Sequence, residues 1–280
     1  MKNVYKSKKL AYRSIYIVVS RREGRKMNFL CGYNTDIGIK KESNQDSLLI
    51  KIAQSHRGNI GIFVICAGMG GLSNGELASS TVILNLSKWF TDELPELLMK
   101  EKFKLEIQRS ISNLVSKVNK KLVQYGEKNN IKLGTTMSAL IIIDNIYMIF
   151  HVGDSRIYKL KDEKLIQITE DQTFIARELA LGSITEEEAK VHPKRNTLLE
   201  CIGVRGKANM IIKKGTVEKD DVFLLCSDGF YHKISKEEIV HNFNSVSNEN
   251  IINNNISVLV NLAKTRGEID NISLIVTKIS

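Results

Sequence analysis

The stretch that most limits what this chain can fold into runs from Ile62 to Glu76. Five residues, Ile62 to Cys66, are all apolar and run straight into Ala67, Gly68, Met69, Gly70 and Gly71. A short apolar run bounded by glycine reads as a buried strand. Glycine at 68, 70 and 71 permits backbone angles and close approaches that other residues cannot take. Ser73 and Glu76 have capping-box spacing, which predicts a helix start. A strand, a glycine turn and a helix start together can bring backbone groups and one acidic side chain to a ligand. Here the strand ends on Ala67, whose methyl group binds nothing.

The rest of the chain supplies the layers for such a strand. Ala78, Val82, Leu86 and Trp89 share one helical face, and so do Ile107, Ile111, Leu114, Val115, Val118 and Leu122. Four strands are expected at Met137–Ile143, Ile146–Val152, Arg156–Leu160 and Leu165–Ile168. Their connections are short enough for antiparallel hairpins. Helices are predicted near Phe174–Ala180, after the Thr185/Glu188 and Ser235/Glu238 capping boxes, and over Ile252 to Ala263. Residues 29–50 read as a strand, a polar turn from Gly38 to Asp46 and a second strand with apolar Leu48 to Ile50, and further strands are predicted at Gly61–Cys66, Val222–Cys226 and Ile272–Val276. The elements do not alternate strand with helix, which argues against a regularly wound parallel sheet. Antiparallel sheets with helices packed outside fit better. Residues 27–280 read as a single domain, with 169–205 as an excursion from the sheets.

The net charge of +10 is concentrated at one end. Residues 1–26 hold nine Lys or Arg against the single acid Glu23, which is eight of those ten charges. The body is near neutral, so the charge does not argue for nucleic-acid binding; any such role would rest on the arm alone. Residues 1–26 read as a basic, disordered extension, with a membrane-surface or partner-binding arm as the other reading. The apolar patch Ile15–Val19 is far shorter than the roughly 20 residues a membrane span needs. The four cysteines, at 31, 66, 201 and 226, show no zinc spacing, and Cys66 and Cys226 read as small buried thiols. A reducing cytoplasm is the expected location.

Several acids sit at strand ends beside Gly, Ser or Asn: Asp154, Asp228 and Asp270, with Asp46 at the start of a strand. Each alone reads as a turn aspartate. Gathered on one rim, they would repel each other and call for a divalent cation, Mn²⁺ or Mg²⁺, in an oxygen shell. The ordered set is more specific. Gly38-x-x-Lys41-x-x-Asn44-Gln45-Asp46, Ala67-Gly-Met-Gly-Gly71, Gly134-Thr-Thr136, Val152-Gly-Asp-Ser-Arg156, His192-Pro193, Leu225-Cys-Ser-Asp-Gly229 and Asp270-Asn271 together resemble the bacterial type 2C metal-dependent protein phosphatases. The resemblance covers residues 29–279.

The resemblance implies an α+β fold, a four-layer α/β/β/α sandwich of two mainly antiparallel sheets flanked by helices. It implies two or three Mn²⁺ or Mg²⁺ ions and hydrolysis of phosphoserine and phosphothreonine in proteins by a cation-activated water. By position, Asp228 and Asp270 would ligate the first ion, Gly68 would offer its carbonyl to the second, and Asp46 would act through water. Asp154 and Asp228 match a third site, and 169–205 matches a mobile flap beside it. Substrates of a serine/threonine kinase would be the partners. Three positions depart from the family. Ala67 stands where the family has a metal-bridging Asp, so weaker occupancy and a large loss of rate are expected. Lys41 replaces a phosphate-binding Arg, and Gln45 replaces a frequent Glu. Retention of the other site residues favours a deliberate disabling substitution over the decay of a pseudoenzyme. The alternative is a non-catalytic module that binds phosphoproteins or a regulatory partner.

Overall fold

The structure is a computed structural model that describes residues 15–19, 28–69 and 74–280, the first of these by backbone alone. Its strands are β1 Ile15–Val19, β2 Phe29–Asp36, β3 Ser47–Ser55, β4 Gly58–Cys66, β5 Met137–Ile143, β6 Ile146–Val152, β7 Arg156–Lys161, β8 Lys164–Gln167, β9 Ile211–Thr216, β10 Val222–Cys226 and β11 Ile272–Ile279. Its helices are α1 Gly75–Asp92, α2 Leu94–Leu98, α3 Phe103–Asn129, α4 Phe174–Ala180, α5 Glu186–Val191, α6 Asp228–Tyr231, α7 Lys236–Phe243 and α8 Glu249–Thr265. One sheet runs β1-β3-β4-β5-β6-β9 and the other β2-β11-β10-β7-β8. Every pairing among β2 to β11 is antiparallel.

Alternation along the strands sorts side chains into three cores. Leu48, Ile50, Phe63, Ile65, Leu140 and Ile142 face Phe223, Leu225 and Ile275 across the gap between the sheets. The intervening Leu49, Ile62, Val64, Ala139 and Ile141 face α1 and α3 through Val82, Leu86, Trp89, Ile107 and Ile111. On the opposite side Leu224, Leu274 and Val276 pack with Ile239 and Phe243 of α7 and Ile252, Ile256 and Leu259 of α8. A strand covered on both faces needs an apolar residue at every position. That is why β4 and β10 carry the unbroken apolar runs Ile62–Cys66 and Val222–Cys226. The expected four layers are therefore present, and Cys66 and Cys226 are fully buried within them.

The structure departs from expectation in particular places. Ile15–Val19 is a strand, paired in parallel with β3 from Ile15 opposite Leu48 to Val19 opposite Ile52. Its β-branched run has the propensity for this; the rest of the basic arm lies outside the described residues. The helix after the glycine turn does not begin on a Ser73 cap. Its N-cap is Asn74, at φ 62° and without a side-chain cap bond. Ser73, Gly70 and Gly71 lie outside the described residues. Packing fixes this start instead, since a Cβ on Gly75 would lie 2.6 Å from Gln45 Oε1. β11 continues three residues past Val276, because Thr277 to Ile279 go on pairing with β2. β8 is Lys164–Gln167 rather than Leu165–Ile168, and β9, α2 and α6 are elements beyond those expected. At the far end of the sandwich, Asn28 and Ser280 exchange two main-chain hydrogen bonds of 2.8 and 3.0 Å.

Candidate metal centre

β4 ends where its backbone is held from two sides. The Ala67 N–H donates to Thr136 Oγ1 at 2.9 Å, and the Ala67 carbonyl accepts from Thr136 N at 2.9 Å and Thr135 Oγ1 at 3.1 Å. Gly68 N donates to the Gln45 carbonyl at 3.1 Å. A Cβ on Gly68 would lie 2.7 Å from that carbonyl oxygen and from the main chain of Gly75. The close approach therefore requires glycine. It also ties β4 to the segment that carries Asp46.

Asp46 immediately precedes β3 and is buried, and its Oδ2 finds no hydrogen-bond partner. Burial pushes this carboxyl up to about 7, with Asp228 and Asp270 adding to the rise and the Ser273 and Ser227 hydroxyls opposing it. Asp228 follows β10 as the first residue of α6. Burial raises its carboxyl too, and neighbouring Asp270 and Glu268 add to the rise while His232 opposes it. The loops bearing Asp228 and Asp270 are in backbone contact, since a Cβ on Gly229 would lie 2.2 Å from the Asn271 carbonyl oxygen. Asp154, in the turn after β6, is held well above the usual carboxylate range by burial and then by Asp228 and Asp171. Asp46, Asp154, Asp228 and Asp270 thus form one electrostatic group at the rim where β4 delivers Ala67 and Gly68.

Two cations border this group. Arg156 binds Asp171 through Nε and Nη2, with the shortest contact 2.7 Å, donates to Tyr158 Oη at 3.1 Å, and stacks 3.6 Å over the Tyr231 ring. Lys41 pairs with Asp270, its Nζ 3.0 Å from Oδ1.

The excursion 169–205 is anchored at both ends against the site. Near its start Gln172 exchanges bonds with Gly153, through its side chain at 2.8 Å and its main chain at 2.8 Å. Near its end Ile202 and Thr135 trade main-chain bonds of 2.9 and 3.0 Å. Between them, His192 stacks on Phe174 with ring centroids 5.2 Å apart.

Sequence reading missed the work of Asn271. Its Nδ2 donates to the carbonyls of Ile37 at 2.9 Å and Ser43 at 3.2 Å, while its Oδ1 accepts from Gln45 N at 2.9 Å. The signal for it in the sequence is the amide directly after the acid in Asp270-Asn271. Nothing in the sequence pointed to Tyr231 beneath Arg156.

A sequence profile described as protein phosphatase 2C matches residues 39–262. The chain belongs to the protein phosphatase 2C family. It is 30% identical to the serine/threonine phosphatase stp of Listeria monocytogenes over 248 residues, which is 88% of this chain and 94% of that protein. The fold agrees with this membership. A crystal structure of a bacterial serine phosphatase superposes with a TM-score of 0.79 at 27% identity, covering 89% of this chain and 97% of the other. The catalytic domain of the serine/threonine phosphatase PstP, solved with two manganese ions, superposes with a TM-score of 0.72 at 26% identity, covering 91% and 99%.

Proposed function

We propose that this protein phosphatase 2C member hydrolyses phosphoserine and phosphothreonine in proteins with a divalent cation, Mn²⁺ or Mg²⁺, and that Ala67 holds it far below full activity. The observation that carries this reading is the group of carboxylates, buried Asp46 with half-buried Asp228 and Asp270, beside the Ala67–Gly68 strand end. Asp46, raised by burial and then by Asp228 and Asp270, and its carboxylate oxygen with no partner fit a divalent cation. They do not fit a bridged pair of ions. Position 67, where the family places the shared carboxylate, offers only a methyl group. Among the described residues no three His, Cys, Asp or Glu side chains are grouped as an ion's ligand set.

Asp228 and Asp270 would hold the ion directly, with the Gly68 carbonyl and Asp46, acting through water, on the Ala67 side. Asp154 with Asp228 would serve a further site. When bound, a divalent ion supplies a water of lowered pKa and positive charge for the phosphoryl oxygens. The chain's own groups do the rest. Asp46 holds solvent at the buried end of the rim, Lys41 is within the centre to orient a phosphoryl oxygen, and 169–205 borders the approach of the phosphoprotein. No nucleophilic side chain is required. No helix of the described residues is long and apolar enough to cross a membrane. Cytoplasmic phosphoproteins made by a serine/threonine kinase are the substrates this reading favours.

The test is Ala67→Asp, assayed with Mn²⁺ on p-nitrophenyl phosphate and a phosphothreonine peptide. Activity should rise by at least about 10²-fold, the scale of losing one group that stabilises a transition state electrostatically. A folded Ala67→Asp protein that stays inert would sink the catalytic reading. The methyl at 67 would then favour the second reading, a non-catalytic phosphoprotein binder, shown by phosphopeptide affinity without turnover in either form.

A further inference from the structure

The Lys41–Asp270 pair is not a chance meeting of two surface side chains. Asn271 clasps the loop that carries Lys41 through Ile37, Ser43 and Gln45. Gly38, at φ +77°, sits so close to the other loop that a Cβ would lie 2.1 Å from the Asp270 carbonyl oxygen. Both backbones are fixed against each other before the side chains meet. The pair is only partly shielded, with side-chain exposures of 28% for Lys41 and 41% for Asp270. Arg156 cannot take the lysine's place, because Asp171, Tyr158 and Tyr231 already hold its guanidinium.

We propose that Lys41 is an internal competitor for the divalent ion and sets the centre's affinity for it. This rests on the reading above that Asp270 is a ligand. The ammonium neutralises charge that a cation would need at Asp270 and repels an incoming ion, so ion binding works against the pair. The displaced ammonium stands on a loop that Asn271 keeps in place, at the end of a flexible four-carbon stem. Its next partner is a phosphoryl oxygen. Metal and phosphate binding are thereby linked: the ion frees the lysine, and the lysine then draws in the anion. With a methyl at 67 the ion has fewer carboxylates to hold it, so the competitor weighs more here than in a centre with a full acidic set.

The experiment titrates Mn²⁺ into the full chain and into Lys41→Met by calorimetry, with circular dichroism melts to show that both are folded. The Mn²⁺ dissociation constant should fall about fivefold in Lys41→Met, the change a partly exposed ion pair commands. Lys41→Gln carries the same expectation if Lys41→Met folds poorly. Inorganic phosphate is then titrated with and without saturating Mn²⁺. The ion should strengthen phosphate binding in the parent and lose that effect in the neutral variant. Equal or weaker Mn²⁺ binding by the neutral variants overturns the proposal, and so does a failure of both forms to bind Mn²⁺. Neither titration needs turnover. An inert Ala67→Asp protein would remove the catalytic reading and leave this result standing.

Discussion

Single side chains decide whether this rim works. Asn271 is the clearest case, because one amide satisfies two carbonyls and one N–H on the loop that bears Lys41. Asn271→Ala strips those groups of their partners in a buried place, where each unsatisfied group costs about 1–3 kcal/mol. Water entering the opened loop recovers part of that, so a loss of about 2 kcal/mol in urea unfolding is expected. Asn271→Ala should also loosen the Lys41–Asp270 pair, whereas Lys41→Met leaves the loop intact. Ala67 is the opposite kind of residue. Its backbone is fully engaged, and only its side chain is deficient. Ala67→Asp should therefore leave stability nearly unchanged while altering chemistry, since the bonds that shape the strand end are main-chain bonds on its side.

Secondary-structure elements here are begun in different ways. α5 and α7 start on complete capping boxes, Thr185 with Glu188 and Ser235 with Glu238. Ser235→Ala should cost about 1 kcal/mol in urea unfolding, the usual worth of such a cap. Both boxes were legible because a cap is a local signal, written in residues three apart. The start of α1 was not, because Gly75 is held by Gln45, thirty residues away in sequence. Strand existence was legible where both faces are covered, as in β5, β6 and β10, whose limits match the expected ones. β9 was not, because it lies at a sheet edge with Lys213 and Lys214 in its middle. The acids of the centre could be read as an ordered set. Their company could not, since the partners of Lys41 and Arg156 are set by loops that meet only in the folded chain.

Across the molecule, a buried hydrogen-bonded line joins the strand end to the base of the excursion. Thr136 Oγ1 accepts from Ala67 N and meets Ser155 Oγ at 2.7 Å; Ser138 Oγ donates to the Ser155 carbonyl at 2.6 Å and meets His151 Nδ1 at 2.9 Å. His151 Nε2 lies 3.0 Å from the Glu170 carbonyl. Burial pulls the His151 imidazole below its ordinary value, against weaker opposition from Glu170 and Asp171. An unfolded imidazole takes up its proton near pH 6.5, while the folded one resists until lower pH. Stability from this group is therefore complete above about pH 6.5 and is lost as pH falls toward the folded value. Asp46 works with the opposite sign, since its raised carboxyl favours the folded state as pH falls. The contribution of His151 is thus read as a difference. Between pH 7 and 5, the urea midpoint of the parent should fall more than that of His151→Gln, and parallel declines would refute this account.

The paired main chains of Asn28 and Ser280 carry a practical consequence. β2 and β11 start from opposite ends of their shared ladder, so residues 28 and 280 lie beyond the end away from Asp270. Eight residues of strand span about 26 Å. A fluorophore or surface tether attached at Ser280 would thus sit across the sandwich from the rim, leaving incoming phosphopeptides a clear path in immobilised binding assays.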